Sequence, residues 1–493
     1  MGKGQPYVDI IPLHSEVTGS CLLLIIKFPD GMVKRIIIDC GLFQEREYMD
    51  RNKVFPFDAD KIDHVFITHA HTDHVGRLAK LVGDGYSGKI HATNSSAKIL
   101  PYALGDCYKL MISNAKLNRL RPDYSENDLA KTLTSICGHP YSETLDIEEN
   151  IKVTFFMNGH LPGASLILVQ ISYYDDYSPV QFKNINLLFT GDYHYKNKFF
   201  DVEPIPDWVY DLPITIITES TYGTTNSSEI EYVFENNILN AISEGKEIVI
   251  PVFSLARSQE ILYTLKEWQE SGKLDRSIPI YLDGKLCFKY TGLYQYDGLD
   301  NREEARDFLP DNLTFVNDLT LRRKIMNDGE QKIIVTTSGM GTHGPAQTYL
   351  PAYTKRENVL IHFTGYCAKD TMGRCLIEAP KGYFITKNKD GEWIYTEHVE
   401  ETEGLILQKK ADVKSTSEYS SHAKADELIN LLDKFNNKKL ILVNHGESDV
   451  KTSFAARLNE RYGDKTDIGI LDDCLFRVDG YGYVKSFPTK FYH

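Results

Sequence analysis

The hydrophobic pattern of the chain changes character near Trp208, and that change limits the fold more than any other feature. Before it, residues 8–13, 22–28 and 34–39 are short apolar runs separated by Gly-containing turns, the pattern of a strand meander. After it, strand-length apolar runs alternate with helical spacing. Residues 214–218 read as a strand, and Ser228-Glu-Ile-Glu231 as a capping box opening a helix to about residue 243. A strand at 247–252, a helix at 257–268, strands at 278–282, 333–336 and 359–363, a mixed stretch at 380–413 and a helix beginning near His422 follow. Such alternation implies a parallel, doubly wound sheet. The expected fold class is therefore α/β, with a second unit inserted after the first.

At 493 residues the chain is long enough for two or three units with sizeable cores. Apolar residues at 42% and charged residues at 25% match globular averages and argue against disorder, collagen and coiled coil. No apolar run approaches the ~18–20 residues of a membrane span. The N-terminus lacks a signal-peptide core, and Pro6 stands where a myristoylation motif wants Ser or Thr. A cytoplasmic protein with no membrane contact is expected. The 8 cysteines are scattered without a Cys-x-x-Cys pair, so reduced, mostly buried thiols are expected. A formal charge of −14 argues against coating nucleic acid through bulk charge, yet leaves room for a local grip on phosphates through metal ions. The charge runs at 300–306 and 322–324 read as solvated helix faces.

The chemistry concentrates at His69-Ala-His71-Thr-Asp73-His74, between the apolar run 64–68 and a helically spaced segment. His69 and His71, one residue apart, can face the same side of an extended strand end. Asp73 and His74 come from the turn that starts the helix. Four ligand-type side chains within six residues suit two metal ions, two ligands each.

With these residues in place, the sequence resembles a metallo-β-lactamase-fold hydrolase. Asp39 in Ile-Ile-Ile-Asp-Cys-Gly matches the first motif, whose Asp supports the metal loop. His69 to His74 match the second, His160 in Asn-Gly-His-Leu-Pro-Gly the third, and Asp192 in Phe-Thr-Gly-Asp-Tyr the fourth. Beyond residue 208 the chain resembles the β-CASP subgroup, the nucleic-acid-processing branch. Glu219 in Thr-Glu-Ser-Thr-Tyr-Gly, His422 in Ser-Ser-His-Ala-Lys and His445 in Leu-Val-Asn-His-Gly-Glu match its motifs A, B and C. The resemblance implies an αββα sandwich, residues 1–208 and 385–493, interrupted by a β-CASP domain at 209–384. The sequence departs from the family at Asp370, where Gly is usual, and at Ser-Ser-His-Ala-Lys, where Ser-Ala-His-Ala-Asp is common.

The same resemblance implies a catalytic constellation. His69, His71 and His160 would hold one Zn²⁺, Asp73, His74 and His445 the other, and Asp192 both, with Mn²⁺ or Fe²⁺ also suited to such ligands. A hydroxide generated between the ions would attack the phosphodiester. His422 is the expected general acid and Glu219 its orienting partner. Ser338, Gly339 and Arg374 are candidate phosphate contacts, because Ser338-Gly-Met-Gly-Thr-His-Gly-Pro leads from a strand into a helix. Thr18-Gly-Ser20 reads as a tight turn near the site. The expected function is a zinc-dependent ribonuclease acting on single-stranded RNA. His at motif C is the RNA-directed pattern, and DNA-repair relatives usually carry Val there. Only 48 residues follow His445, which favours an endonuclease over a 5′-exonuclease with an added domain. A DNA-directed nuclease, a non-catalytic RNA-processing scaffold and a small-molecule hydrolase are the alternatives. Relatives often form homodimers.

Overall fold

The computed structural model describes residues 6–14, 17–174, 182–296, 298–389, 391–398, 405–472, 474–480 and 484–488. They divide into two compact units, Met1–Ser228 with Ser421–His493, and Glu229–Ser420.

The first unit is built on two sheets. One runs in spatial order Val484–Pro488, Cys474–Asp479, Tyr7–His14, Cys21–Lys27, Val33–Ile38, His64–Phe66, Lys89–Thr93, Ile136–His139. The other runs Asp467–Ile470, Lys438–Val443, Ile214–Thr218, Phe182–Phe189, Ser165–Tyr174, Ile151–Met157, Thr144–Glu148. Ile10, Leu24, Ile36 and Phe66 from the first meet Val153, Phe155, Val169 and Leu187 from the second in one core. Each such fully buried side chain is worth roughly 1.5–3 kcal/mol. The outer face of the second sheet packs through Leu168 and Ile216 against Leu428, Leu432, Phe454 and Leu458. Those residues lie on helices Ala425–Asp433 and Ser448–Tyr462. Helices Asn94–Asn118 and Glu126–Ser135 lie against strands of the first sheet. The result is a four-layer αββα sandwich.

The second unit centres on six parallel strands in the order Leu313–Phe315, Ile280–Asp283, Ile333–Thr336, Glu247–Pro251, Val359–Phe363, Asp412–Ser415. The central runs Ile333–Thr336 and Val359–Phe363 are buried throughout, as strands covered on both faces must be. A three-stranded sheet, Trp393–Thr396, Phe384–Lys387, Leu407–Gln408, belongs to the same unit.

Four expectations shift. The inserted unit spans 229–420, not 209–384, because Asp412–Ser415 pairs with Val359–Phe363 and so ties the mixed stretch to the inserted sheet. The capping box at Ser228 does not form. Ser227 instead bonds Asp426, residues Ser227–Glu229 make one 3₁₀ turn, and the helix starts at Phe234. His422 does not begin a helix, since Glu427 accepts from the Lys424 amide at 2.8 Å and starts Ala425–Asp433 three residues later. Arg322 is not a solvated face residue. Its Nε and Nη2 donate to Asp283 at 2.6 and 2.8 Å, and Asp283 is buried.

All eight cysteines are free thiols, six of them buried. Among the described residues no helix is long and apolar enough to cross a membrane.

Candidate metal centre

In the first unit the expected site residues gather just beyond strand ends. Asp39 follows Val33–Ile38, His69 to His74 follow His64–Phe66, and His160 follows Ile151–Met157. Asp192 follows Phe182–Phe189, Glu219 follows Ile214–Thr218, and His445 follows Lys438–Val443. The loop at 39–42 lies directly on the ligand loop. Cys40 N donates to His74 O at 2.7 Å, Leu42 N to Thr72 O at 3.0 Å, and Ser20 N to Asp73 O at 2.9 Å. A Cβ on Gly41 would sit 1.5 Å from Asp73 O, so only glycine allows this approach. The Thr18-Gly19-Ser20 turn, with Gly19 at φ 75, thus braces the backbone of a donor.

Seven side chains form two sets that share Asp192. His69, His71, His160 and Asp192 are one, and Asp73, His74, His445 and Asp192 the other, with the donor atoms of each set within 4.8 Å of one another. His71 Nδ1 lies 3.1 Å from both His69 Nε2 and His160 Nε2. Tetrahedral donors about 2.0–2.1 Å from a zinc would stand roughly 3.3–3.4 Å apart, close to these spacings.

Proton counting gives an independent test of fit. His160 Nδ1 donates to Ser421 O at 2.9 Å, which leaves Nε2 as a lone pair. Thr68 Oγ1 donates to Asp39 Oδ2 at 2.7 Å and accepts from His69 Nδ1 at 3.1 Å, so His69 Nε2 is also a lone pair. His71 has one Nδ1 proton at most to share between them. Three acceptors facing one another with at most one proton, two of them on buried rings, is unfavourable, and a cation resolves it. Burial holds His69 and His160 far below the ordinary imidazole pKa and His71 at about 4, so all three are neutral imidazoles at pH 7.

The second set gathers imidazoles around carboxylates. Asp39 is almost wholly buried, and its Oδ2 accepts from His74 Nδ1 at 2.7 Å, aiming Nε2 inward. His74 Nε2 and Asp192 Oδ1 stand 3.2 Å apart, and neither has a hydrogen-bond partner. His445 Nε2 lies 3.1 Å from the same oxygen. Burial opposes the charge on Asp192, but His445, His74, His422 and His69 outweigh it and hold the carboxyl well below the usual range. Burial likewise opposes protonation of His74, while Asp192 and Asp39 push its pKa well above normal. The residues present therefore fit two metal ions. The carboxylate behind His74 and the carbonyl behind His160 are the kind of support such ions use.

His422 and Glu219 adjoin the two sets without belonging to either. His422 Nδ1 lies 2.9 Å from Glu219 Oε2, and its Nε2 is 3.8 Å from Asp192 Oδ2. Glu219 is buried, and its other oxygen accepts from Tyr193 N. Burial lowers the His422 pKa, but Glu219 and Asp192 more than offset it and raise the value above normal.

Ser338, Gly339 and Arg374 belong to the second unit, and each already has a partner there. Ser338 Oγ accepts from the amides of Thr342 and His343 at 3.0 and 3.2 Å, and Gly339 O accepts from Cys367 Sγ at 3.8 Å. Arg374 Nε donates to Glu378 at 2.6 Å. The amides of Ser338, Gly341, Thr342 and His343 are thus bonded within the loop. Conversely, the sequence reading missed Thr68, the Ser421 carbonyl, the Tyr193 amide and Asn158. Asn158 Nδ2 donates to Asp192 O at 3.1 Å while its Oδ1 accepts from His160 N at 2.9 Å. Apart from Thr68 and Asn158, these act through backbone atoms. The two exceptions carried one signal, a polar residue ending an apolar strand.

Comparison with known proteins agrees with this geometry. A metallo-beta-lactamase superfamily model matches residues 20–173 and a Beta-Casp domain model matches 258–376. A Zn-dependent metallo-hydrolase RNA specificity domain matches 406–468. The chain belongs to the β-CASP family of the metallo-β-lactamase superfamily. As a β-CASP protein it is a metal-dependent hydrolase. Transcription termination factor FttA of Methanosarcina mazei is 28% identical over 469 residues, covering 90% of this chain and 68% of its own. Ribonuclease TTHA0252 of Thermus thermophilus is 28% identical over 454 residues, 89% of this chain and 93% of its own. Cleavage and polyadenylation specificity factor 73 of Drosophila melanogaster is 26% identical over 470 residues, 92% of this chain and 62% of its own.

Proposed function

We propose that this β-CASP hydrolase is a ribonuclease that uses two zinc ions to cut internal phosphodiester bonds of single-stranded RNA. One observation carries the reading: two donor sets share Asp192, and His422 Nε2 stands 3.8 Å from that shared carboxylate. His69, His71 and His160 would hold one ion, Asp73, His74 and His445 the other, and Asp192 both. Bound there, the ions supply positive charge against the phosphodiester and a source of hydroxide at neutral pH.

The chain's own residues do the rest. Asp39, Thr68 and the Ser421 carbonyl fix the ring orientations of His74, His69 and His160, so that their free nitrogens face inward. Glu219 Oε2 holds a proton on His422 Nδ1 and favours the imidazolium. Its Nε2–H then faces Asp192, where it can pass a proton to the leaving oxygen, a step worth about 10²–10⁴ in rate. The RNA substrate is supported by the RNA specificity domain match, which contains His422 and His445, and by a relative named as a ribonuclease. A scaffold role is disfavoured because the donor set is complete.

The test is digestion of end-labelled linear RNA with 5′-phosphate or 5′-triphosphate ends, circular RNA and single-stranded DNA by zinc-loaded protein. Cleavage of all three RNAs, circles included, with DNA left intact is expected. Cleavage of 5′-phosphorylated linear RNA alone would replace this reading with exonuclease action, and inertness toward every RNA would overturn it.

A further inference from the structure

Directly after Asp192 the chain reads Tyr193-His-Tyr-Lys-Asn-Lys198, and the loop it forms presents aromatic surface beside the metal centre. Both ends of the loop are pinned. Tyr193 is buried before it, and Phe199 and Phe200 are each 1% exposed after it. Tyr193 O accepts from Ala423 N at 2.7 Å, next to His422. His194 O accepts from Gly159 N at 2.6 Å, next to His160. Asn197 Nδ2 donates back to Gly159 O at 2.8 Å, and a Cβ on Gly159 would lie 2.3 Å from Lys196 O. The loop is thus tied to the neighbours of two site histidines and has little freedom to move.

On this fixed support Tyr195 is 46% exposed. Its ring stacks with His194 at a centroid distance of 5.0 Å and an interplanar angle of 12°. Lys196 Nζ stands 5.1 Å from the Tyr195 centroid. A half-exposed ring on a rigid mount has already lost the freedom that binding would otherwise cost. A half-exposed aromatic ring with a cation over it matches an unpaired nucleobase and its phosphate, and a paired base has no free face to offer.

We propose that Tyr195, backed by His194 and Lys196, is a stacking subsite for one unpaired base of the RNA beside the scissile phosphate. The proposal rests on the ribonuclease reading and deepens it, since it assigns the single-strand preference to a residue. Base stacking of this kind is worth about 5- to 150-fold per base by alanine substitution.

The test combines kinetics and fluorescence on the full chain. A 12-nucleotide RNA carrying one abasic position, walked along the sequence, is compared between wild type and Tyr195→Ala. At one position wild type should lose about tenfold or more in kcat/KM, mainly through KM. Tyr195→Ala should show that loss on intact RNA and lose nothing more at that position. Tyr195→Phe, which keeps the ring, should restore wild-type behaviour. In parallel, 2-aminopurine at the same position should be quenched on binding to wild type and Tyr195→Phe, but not to Tyr195→Ala. Equal losses in the Phe and Ala variants, or no sensitive abasic position, would overturn the subsite. If wild type cuts no RNA, the ribonuclease reading has failed, and the fluorescence arm still decides stacking: Tyr195-dependent quenching supports it and its absence overturns it.

Discussion

Glu219→Gln isolates the part of the mechanism that lies outside the metal ligands. Glutamine keeps the shape and one acceptor oxygen but removes the charge facing His422 Nδ1 at 2.9 Å. Hydrogen bonds to charged groups contribute about 1.5–3 kcal/mol, and Glu219 is almost wholly buried, so water does little to screen the loss. At about 1.4 kcal/mol per decade, cleavage of RNA should slow roughly 10- to 100-fold. The loss should depend on the leaving group. A ribose alkoxide needs the proton carried by His422 Nε2, and a nitrophenolate scarcely does. On bis(p-nitrophenyl) phosphate the deficit should therefore shrink to a few-fold. Metal content should stay at the wild-type value, because Glu219 belongs to neither donor set. Equal loss on both substrates, with metal retained, would refute proton donation through His422. Loss of metal would show that Glu219 supports the centre itself.

Other perturbations probe separate links. Asp39→Ala removes the acceptor behind His74 Nδ1 and should weaken metal affinity about 10- to 100-fold, read by competitive chelator titration. Arg322→Ala leaves Asp283 buried without its bidentate partner and should cost about 3–5 kcal/mol in urea unfolding. Burial depresses the pKa of His362 to about 4, and its Nε2 accepts from Asn237 at 3.1 Å. The unfolded chain therefore binds more protons between about pH 6.5 and 4, and stability should fall through that window by about 3 kcal/mol as pH drops. His362→Gln should flatten the pH dependence of the urea midpoint over that window.

The candidate site was legible because its donors cluster at ends of apolar strands, and one such strand carries four of them within six residues. His69 to His74 needed no tertiary knowledge. His445 and Glu219 became readable only through resemblance, since a lone His after Leu-Val-Asn says little. The boundary at 420 was not legible, because the pairing of Asp412–Ser415 with Val359–Phe363 joins segments about 50 residues apart with no local signal. The helix expected at Ser228 failed because a tertiary bond, Ser227 to Asp426, took the place of the local cap. Arg322 looked solvated because its partner Asp283 lies 39 positions away. Tyr195 was invisible as a feature until the structure showed it exposed on a pinned loop.

The positions of bound metal test the two-ion centre most directly. Anomalous diffraction at the zinc edge from zinc-loaded crystals should show two ions, one among His69, His71 and His160 and one among Asp73, His74 and His445, with Asp192 touching both. A single ion, or none at these residues, would contradict it.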